Sequence, residues 1–431
     1  MPRSSSPRPS AHEFDADRGI PHAQPMQTTS FARHLVATGA LALTAVSSAE
    51  AQDWVAAWSS SMQSASPETW SMTDATIRLI ARTTVAGDQV RIRLENTFGE
   101  APLDIGAATI GLQASGPALV PNSVRPIRFS ASPSVTIPPG GLVVSDPLAL
   151  PVEAEQRLAI SLHVRGTDVR SSQHSNGLTT SYVTEPGTGD LTTAVELDLF
   201  LDTTNSIHWL SAIEVHSSSA RGAIVAFGDS ITDGSCATVD GYDRWEDVLY
   251  TRLRERDGGA RLAMVNAGIG GNTVIRVPPV GSPPGLERFD RDALDLAGVT
   301  HVVLFLGTND LRRDAEADQV IAGLDTLMQR AKDRGLTVIA STIIPRNPVP
   351  RGLPANLGFT PARNAARHQI NDWIRNNDDL DGVLDFDAVM QADGDKDLVE
   401  PIYDCDGIHP NVLGYAAMAR SIDLDLFTAA P

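Results

Sequence analysis

The sequence predicts two folded domains, an antiparallel β-sandwich over residues 52–218 and a three-layer α/β domain with a parallel sheet over residues 219–431. Two observations predict this order. Short runs that alternate apolar and polar residues fill the first region, whereas short, uniformly apolar runs separated by helical stretches fill the second. The 431 residues and 42% hydrophobic content are enough to bury the cores of both domains.

Residues 1–51 are predicted to be an N-terminal extension and export signal. Basic residues precede the apolar run Leu35–Val46, and an AEA motif that ends at Ala51 follows it. Signal peptidases recognise this order of segments, and the run is too short to span a bilayer. We therefore expect a secreted or periplasmic protein whose mature chain starts near Gln52. Met26 is a candidate start codon, and a disordered tail before a short core helix is the alternative interpretation.

The sandwich is predicted from strands of period two that are bounded by turn residues. Residues 77–81, 90–94 and 158–164 alternate in this way, with breakers such as PPGG at 138–141 between them. Three tryptophans in this region fit either packing within the domain or a sugar-binding face. They are Trp54, Trp58 and Trp70.

The α/β domain is predicted after a small, polar linker at residues 216–222. Five apolar runs of the length of buried strands follow, at residues 223–227, 262–265, 301–306, 337–341 and 382–386. Helical stretches follow these runs, at residues 244–256, 285–296, 315–334, 362–376 and 411–426. In a parallel sheet built this way, functional residues gather at the carboxyl ends of the strands.

The first two motifs each follow such a strand. The motif GDSITDG at 228–234 places Ser230 at a strand-to-helix turn, where its hydroxyl can face the edge of the sheet. The alternative is an ordinary N-cap turn. The motif NAGIGGNT at 266–273 contains glycines that can expose backbone N–H donors, or that simply form a flexible turn.

Two later motifs supply polar side chains. The motif GTND at 307–310 offers the amide of Asn309, either to a developing oxyanion or as a helix cap. The motif DCDGIHPN at 404–411 separates Asp406 from His409 by three positions, so that a turn can hold the carboxylate against one ring nitrogen. The other nitrogen is then left to take a proton from a serine.

Together the four motifs resemble the four sequence blocks of the SGNH (GDSL) hydrolases over roughly residues 223–427. This resemblance implies a flavodoxin-like sheet and ester or thioester hydrolysis without a cofactor. It implies Ser230 as nucleophile, His409 and Asp406 as the base and its partner, and Ser230, Gly271 and Asn309 as oxyanion donors. Ile231 departs from the family's name motif, which has Leu there.

The two cysteines lie on the implied active-site loops. Cys236 follows Ser230 and Cys405 precedes Asp406, so a disulfide is expected to join the loops, with two buried thiols as the alternative. No metal site is expected, because the acidic segment 393–397 departs from calcium-loop spacing and fits a solvated loop.

The predicted function is hydrolysis of carboxylic acyl esters, short-chain or acetyl, with carbohydrate esters among the candidate substrates. A lipase or lysophospholipase acting on longer chains is one alternative, and a non-catalytic glycan-binding module is another. The net charge of -19 argues against nucleic acid as a partner, and no stable membrane insertion is expected. The oligomeric state is left open.

Overall fold

The computed structural model describes residues 54–65, 70–196, 198–278, 281–348 and 358–428. The predicted export signal lies outside these residues. Within them, no helix is both long and apolar enough to cross a membrane.

The N-terminal region consists of strands paired antiparallel in three sheets. The strands are β1 Trp54–Ser59, β2 Gln63–Ser64, β3 Ala75–Arg82, β4 Gly87–Glu95, β5 Leu103–Ser115, β6 Ala118–Leu119, β7 Arg125–Pro126, β8 Val135–Ile137, β9 Leu142–Val144, β10 Leu148–Val152, β11 Arg157–Val164, β12 Ser172–His174, β13 Ser181–Val183, β14 Asp202–Thr204, β15 Ile207–His208 and β16 Leu210–His216. The first sheet has the order β1-β16-β4-β10 with β9 on β4, the second β14-β13-β3-β11-β5-β6 with β7 and β8 on β5, and the third β15-β12-β2.

The predicted alternation in β3 and β4 has a packing reason. Ile77 and Leu79 of β3 lie in one buried apolar cluster with Ile92 and Leu94 of β4, although the two strands belong to different sheets. Burial of such side chains is the main force that holds two β-sheets together. Trp54 lies against the guanidinium of Arg91, which serves packing.

The C-terminal region contains a five-stranded parallel sheet. A strand lies at each of the five apolar runs, with ends that differ by a few residues from those predicted. The strands are β17 Gly222–Gly228, β18 Leu262–Gly268, β19 Val299–Phe305, β20 Thr337–Ser341 and β21 Gly382–Leu384. Their order in the sheet is β18-β17-β19-β20-β21.

Helices connect these strands. They are α1 Ser230–Asp233, α2 Trp245–Arg256, α3 Gly285–Phe289, α4 Thr308–Arg312, α5 Ala317–Asp333, α6 Pro361–Arg375, α7 Phe386–Met390 and α8 Val412–Ser421. Side-chain caps begin several of them: Thr360 accepts the N–H of Arg363 before α6, and Asn411 accepts the N–H of Gly414 before α8. A π-helical segment, Asp290–Leu294, continues α3, and 3₁₀ turns lie at Pro401–Tyr403 and Leu424–Phe427.

Helices cover both faces of the parallel sheet. Val225 and Phe227 of β17 pack in one cluster with residues of α5 and α6. The alternate residues, Ile224 and Ala226, pack in a second cluster with residues of α2 and α8. Successive side chains of a strand point to opposite faces, so the uniformly apolar sequence of β17 follows from its burial on both.

The two regions touch through strand β1 and the turn after β3. The N–H of Ala56 donates to the carbonyl of Ala297 at 2.9 Å. The Tyr250 hydroxyl donates to the Thr84 carbonyl at 2.6 Å, and Thr84 Oγ1 accepts the N–H of Met264. Strand β18 therefore lies beside the N-terminal region.

Two local expectations need correction. The acidic segment at 393–397 is largely exposed, as expected, but it forms the turn and part of the second strand of an antiparallel hairpin, β22 Gln391–Ala392 with β23 Asp395–Val399, rather than an irregular loop. Asp397 pairs there with Arg367 at 2.9 Å, which gives the carboxylate a protein partner. The helix expected at 411–426 ends at Ser421, and a 3₁₀ turn follows.

Candidate active site

Ser230 lies at the carboxyl end of β17, the second strand of the parallel sheet, in the first turn of α1. Asp229 caps this turn, and its Oδ1 accepts the N–H of Ile231 at 3.0 Å. The turn packs closely on the end of β18, because a Cβ at Gly268 would lie 2.3 Å from the backbone nitrogen of Asp233. Glycine is therefore required at 268, and Ser230 is held on a rigid strand end with 7% of its surface exposed.

The loop that follows Tyr403 is held in shape by its own acidic side chains. Asp404 accepts the N–H of Gly407 at 2.7 Å, and Asp406 Oδ1 accepts the N–H groups of Ile408 and His409 at 3.0 and 2.9 Å. Such local bonds fold a short loop without a regular element. They place the Asp406 carboxylate next to Nδ1 of the His409 ring.

A chain of hydrogen bonds joins Asp406, His409 and Ser230. Asp406 Oδ2 lies 2.8 Å from His409 Nδ1, and His409 Nε2 lies 2.9 Å from Ser230 Oγ. A carboxylate only accepts, so Nδ1 carries a proton, and in the neutral ring Nε2 is left to accept the serine O–H. This is the geometry of a general base poised to activate a hydroxyl nucleophile.

The electrostatics of the site favour an ionised Asp406. Burial alone would raise the pKa of its carboxyl, but the hydrogen bond and charge of His409 and the two backbone N–H groups outweigh that effect and lower it to about 2. Asp229 differs, since burial raises its pKa to about 6 despite the N–H of Ile231 and the charge of Arg346.

Three donors lie on loops that follow neighbouring strands β17, β18 and β19. Among the residues that the structure describes, neither the backbone N–H of Ser230 nor that of Gly271 has a hydrogen-bond acceptor. Gly271 has φ of 72°, a conformation that side chains other than glycine rarely adopt. The Asn309 amide donates one hydrogen to the Asn272 carbonyl at 2.9 Å, which orients its second hydrogen.

Sequence reasoning missed Arg288, a fully buried residue of α3. Its guanidinium donates to the carbonyls of Gly228 and Ala267 at 2.8 and 2.9 Å, and to Asn272 Oδ1 at 3.0 Å. It thereby ties together the carboxyl ends of β17 and β18, where the first two motifs lie. No spacing in the sequence distinguishes this arginine, because its partners come from separate loops.

Asp310, the last residue of the GTND motif, contacts the loop after β18. Its carboxylate accepts the N–H groups of Val274 and Ile275 at 2.7 and 3.1 Å. Burial raises its pKa even though these N–H groups lower it. Asp310 therefore fastens the loop that carries Gly271 to the loop that carries Asn309.

Cys236 and Cys405 are joined by a disulfide in the structure. It connects the segment after α1 to the loop of Asp406 and His409. One atom each from Cys236, Asp406 and His409 lie within 4.8 Å of one another, which is a spacing that suits a metal ion. The sulfur is already bonded to Cys405, however, and both ring nitrogens of His409 have partners.

The polar groups described above gather at the carboxyl edge of the parallel sheet. Residues 226–417 match the model of the GDSL-like Lipase/Acylhydrolase family. Residues 226–417 therefore form a GDSL-like lipase/acylhydrolase domain, which is a domain of ester hydrolases. No curated protein matches the chain.

Several solved structures are similar to about half of the chain. A putative acylhydrolase from Bacteroides fragilis is 22% identical, with a TM-score of 0.36 over 48% of this chain and 86% of that one. An aryl esterase from M. smegmatis is 18% identical, with a TM-score of 0.38 over 46% and 95%. An acetyl xylan esterase, AlAXEase, is 20% identical, with a TM-score of 0.33 over 46% and 96%.

Proposed function

We propose that the protein is an exported serine esterase that hydrolyses short-chain or acetyl esters, including esters on carbohydrates. Ser230 acts as nucleophile, His409 as general base and Asp406 as the group that orients it. The observation that carries the proposal is the hydrogen-bond chain from Asp406 Oδ2 through His409 to Ser230 Oγ, with distances of 2.8 and 2.9 Å.

The mechanism runs in two acyl-transfer steps. His409 Nε2 removes the proton of Ser230 Oγ as this oxygen attacks the ester carbonyl. A bond forms between Oγ and the carbonyl carbon, and the carbonyl oxygen becomes the oxyanion of a tetrahedral intermediate. The oxyanion accepts hydrogen bonds from the N–H groups of Ser230 and Gly271 and from the Asn309 amide. His409 then gives the proton to the alcohol oxygen as the bond between this oxygen and the acyl carbon breaks, which leaves the acyl group on Ser230.

Hydrolysis of the acyl-enzyme repeats these steps with water. His409 takes a proton from water, which attacks the acyl carbon, and Ser230 leaves as the protonated hydroxyl. The ionised Asp406, whose pKa is lowered to about 2, stabilises the imidazolium formed in each half. No cofactor is needed to balance either step.

The polar surroundings of the site support a short acyl chain. Asp229, which precedes Ser230, and Asn309 are buried polar residues. Arg346 is also buried, and its charge acts on Asp229 and Asp406. Long acyl chains bind in apolar grooves, since their affinity comes from apolar area removed from water. Carbohydrate esters, with a small acyl group on a polar alcohol, match these surroundings better.

The remaining features of the proposal concern architecture and location. We propose that the two larger antiparallel sheets form a sandwich over residues 52–218, as their shared buried cluster supports. The strand order 2-1-3-4-5 of the parallel sheet supports a flavodoxin-like domain over residues 219–431. Export, with a mature chain starting near Gln52, rests on the sequence of residues 1–51.

The test is a panel of p-nitrophenyl esters from acetate to palmitate, assayed with the wild type, Ser230→Ala and Ser218→Ala. Ser218 is an exposed serine of the segment before β17 and serves as the matched control. We expect highest kcat/KM on acetate or butyrate, full activity in Ser218→Ala and loss of turnover in a folded Ser230→Ala.

Other outcomes would replace the proposal. A preference for palmitate would identify a lipase or lysophospholipase. Equal rates in the wild type and Ser230→Ala would remove Ser230 as nucleophile. An inactive wild type that binds polysaccharide would identify a glycan-binding module.

A further inference from the structure

His174 belongs to the N-terminal region but faces the active-site loops. It lies on β12 and is buried, with Nδ1 at 2.9 Å from the Ser61 carbonyl oxygen and Nε2 at 3.0 Å from Asp233 Oδ1. Both partners only accept hydrogen bonds when the carboxylate is ionised. The ring therefore donates from both nitrogens, which requires the imidazolium form.

The charges around this pair agree with that protonation state. Burial lowers the pKa of His174, but the charge and hydrogen bond of Asp233 and the bond to Ser61 outweigh burial and raise it. Arg244, at the start of α2, opposes this through its own charge. Arg288 also lies close enough to interact with Asp233.

Asp233 carries this link into the loop that holds Gly271. It ends α1, three positions after Ser230, and is buried. Its Oδ2 accepts the N–H of Gly270 at 2.7 Å, while Oδ1 accepts from His174 and from Asn176 Nδ2 at 3.3 Å. A continuous chain of bonds thus runs from the N-terminal β region to the residue before Gly271.

This chain matters because consecutive glycines have wide backbone freedom. Without an anchor, Gly270 and Gly271 would sample many conformations, and only some would aim the Gly271 N–H at the oxyanion. An oxyanion donor is effective when its direction is set before the reaction. The bond from the Gly270 N–H to Asp233 fixes the peptide unit that directly precedes the one carrying the Gly271 N–H, and His174 holds the carboxylate in place.

We propose that His174 is a positioning residue through which the N-terminal β region completes the oxyanion site of the hydrolase domain. The inference rests on the proposed function in one respect, the role of Gly271 as a donor. In this proposal the N-terminal region acts through Asp233 to set the direction in which the Gly271 N–H points.

The experiment compares His174→Gln with His208→Gln in the full chain. His208 is a matched control: it is buried on the neighbouring strand β15, pairs in register with Gln173, and hydrogen-bonds Ser171 within its own region. Each variant is assayed for kcat and KM on p-nitrophenyl acetate, for thermal unfolding, and for amide hydrogen exchange of residues 268–274.

We expect His174→Gln to lower kcat by roughly 10- to 100-fold, the cost of a misplaced catalytic group, with KM within about twofold. A glutamine can bond Asp233 or Ser61 but not both, so exchange in residues 268–274 should quicken. His208→Gln should change neither kcat nor this exchange, whatever it does to the unfolding temperature.

A double-mutant cycle with Asp233→Asn tests the route. Because His174 acts through Asp233, the kcat of the double variant should be no lower than that of the poorer single variant. A folded His174→Gln with wild-type kcat and unchanged amide exchange in residues 268–274 would overturn the inference. So would a double variant in which the losses of kcat from His174→Gln and Asp233→Asn multiply in full. An inactive wild type would refute the proposed function instead, and the exchange measurement would still decide whether His174 orders the loop.

Discussion

The disulfide between Cys236 and Cys405 allows a quantitative test of how the active-site loops are held together. The perturbation is the double variant Cys236→Ser and Cys405→Ser. In the chain-entropy picture, a cross-link stabilises the fold by removing conformations from the unfolded chain, and a 100-residue loop contributes about 4.7 kcal/mol. The bridge spans 169 positions, which gives about 5 kcal/mol.

The measured loss should lie between about 2 and 5 kcal/mol, since cross-links commonly deliver less than chain entropy alone predicts. Urea unfolding of the oxidised wild type and the double variant measures it. The wild type with added reductant should approach the unfolding midpoint of the variant, while the variant should not respond to reductant. Alkylation of unfolded, unreduced wild type should modify no cysteine.

Activity provides a second readout of the same change. The bridge joins the segment after Ser230 to the loop of Asp406 and His409. Without it, the variant should remain folded at 25 °C but show lower kcat, because the imidazole is held less firmly beside the hydroxyl. Identical unfolding midpoints and identical kcat in the two proteins would refute this reasoning.

Two further predictions concern a single donor and a buried ring. Asn309→Ala should lower kcat by on the order of 10²–10³ with little change in KM, because it removes one oxyanion donor; wild-type kcat would remove Asn309 from the site. Burial lowers the pKa of His208 to about 3, against 6.5 in the unfolded chain. Below about pH 6.5 the unfolded chain binds a proton that the folded chain does not, so the free energy of unfolding falls as the pH falls. The loss reaches about 2 kcal/mol at pH 5 and should be absent in His208→Gln; equal pH dependence of urea unfolding in both proteins would contradict this.

The features that the sequence predicts well are local ones. The five strands were predicted from apolar runs, and a motif was predicted after each of the first three strands. Both kinds of feature depend on hydrophobic periodicity and turn residues within a short stretch of sequence. The pairing of Asp406 with His409 is also a local feature, because the carboxylates of Asp404 and Asp406 fold the short loop that holds both residues. Ser230 could be placed near them once the parallel sheet was inferred, since its strand ends share one edge.

The residues that sequence reasoning missed act across long separations. His174 lies 59 positions from Asp233, and no spacing rule connects a β-strand histidine to the end of a helix in another region. Arg288 likewise bonds three separate segments. The hairpin at Gln391–Val399 was missed because its aspartates fit a solvated loop, whereas Asp397 is paired with Arg367. Such pairings are decided by packing, which periodicity does not encode.

The central claim is that Ser230 is an activated nucleophile with His409 as its base. It is tested most directly by fluorophosphonate labelling followed by peptide mass spectrometry of the wild type and His409→Ala. We predict one label per chain, on Ser230, and a labelling rate at least 100-fold lower in a folded His409→Ala, as expected when a general base is lost. A wild type that stays unlabelled, or one labelled at another serine at the same rate in both proteins, would contradict the account.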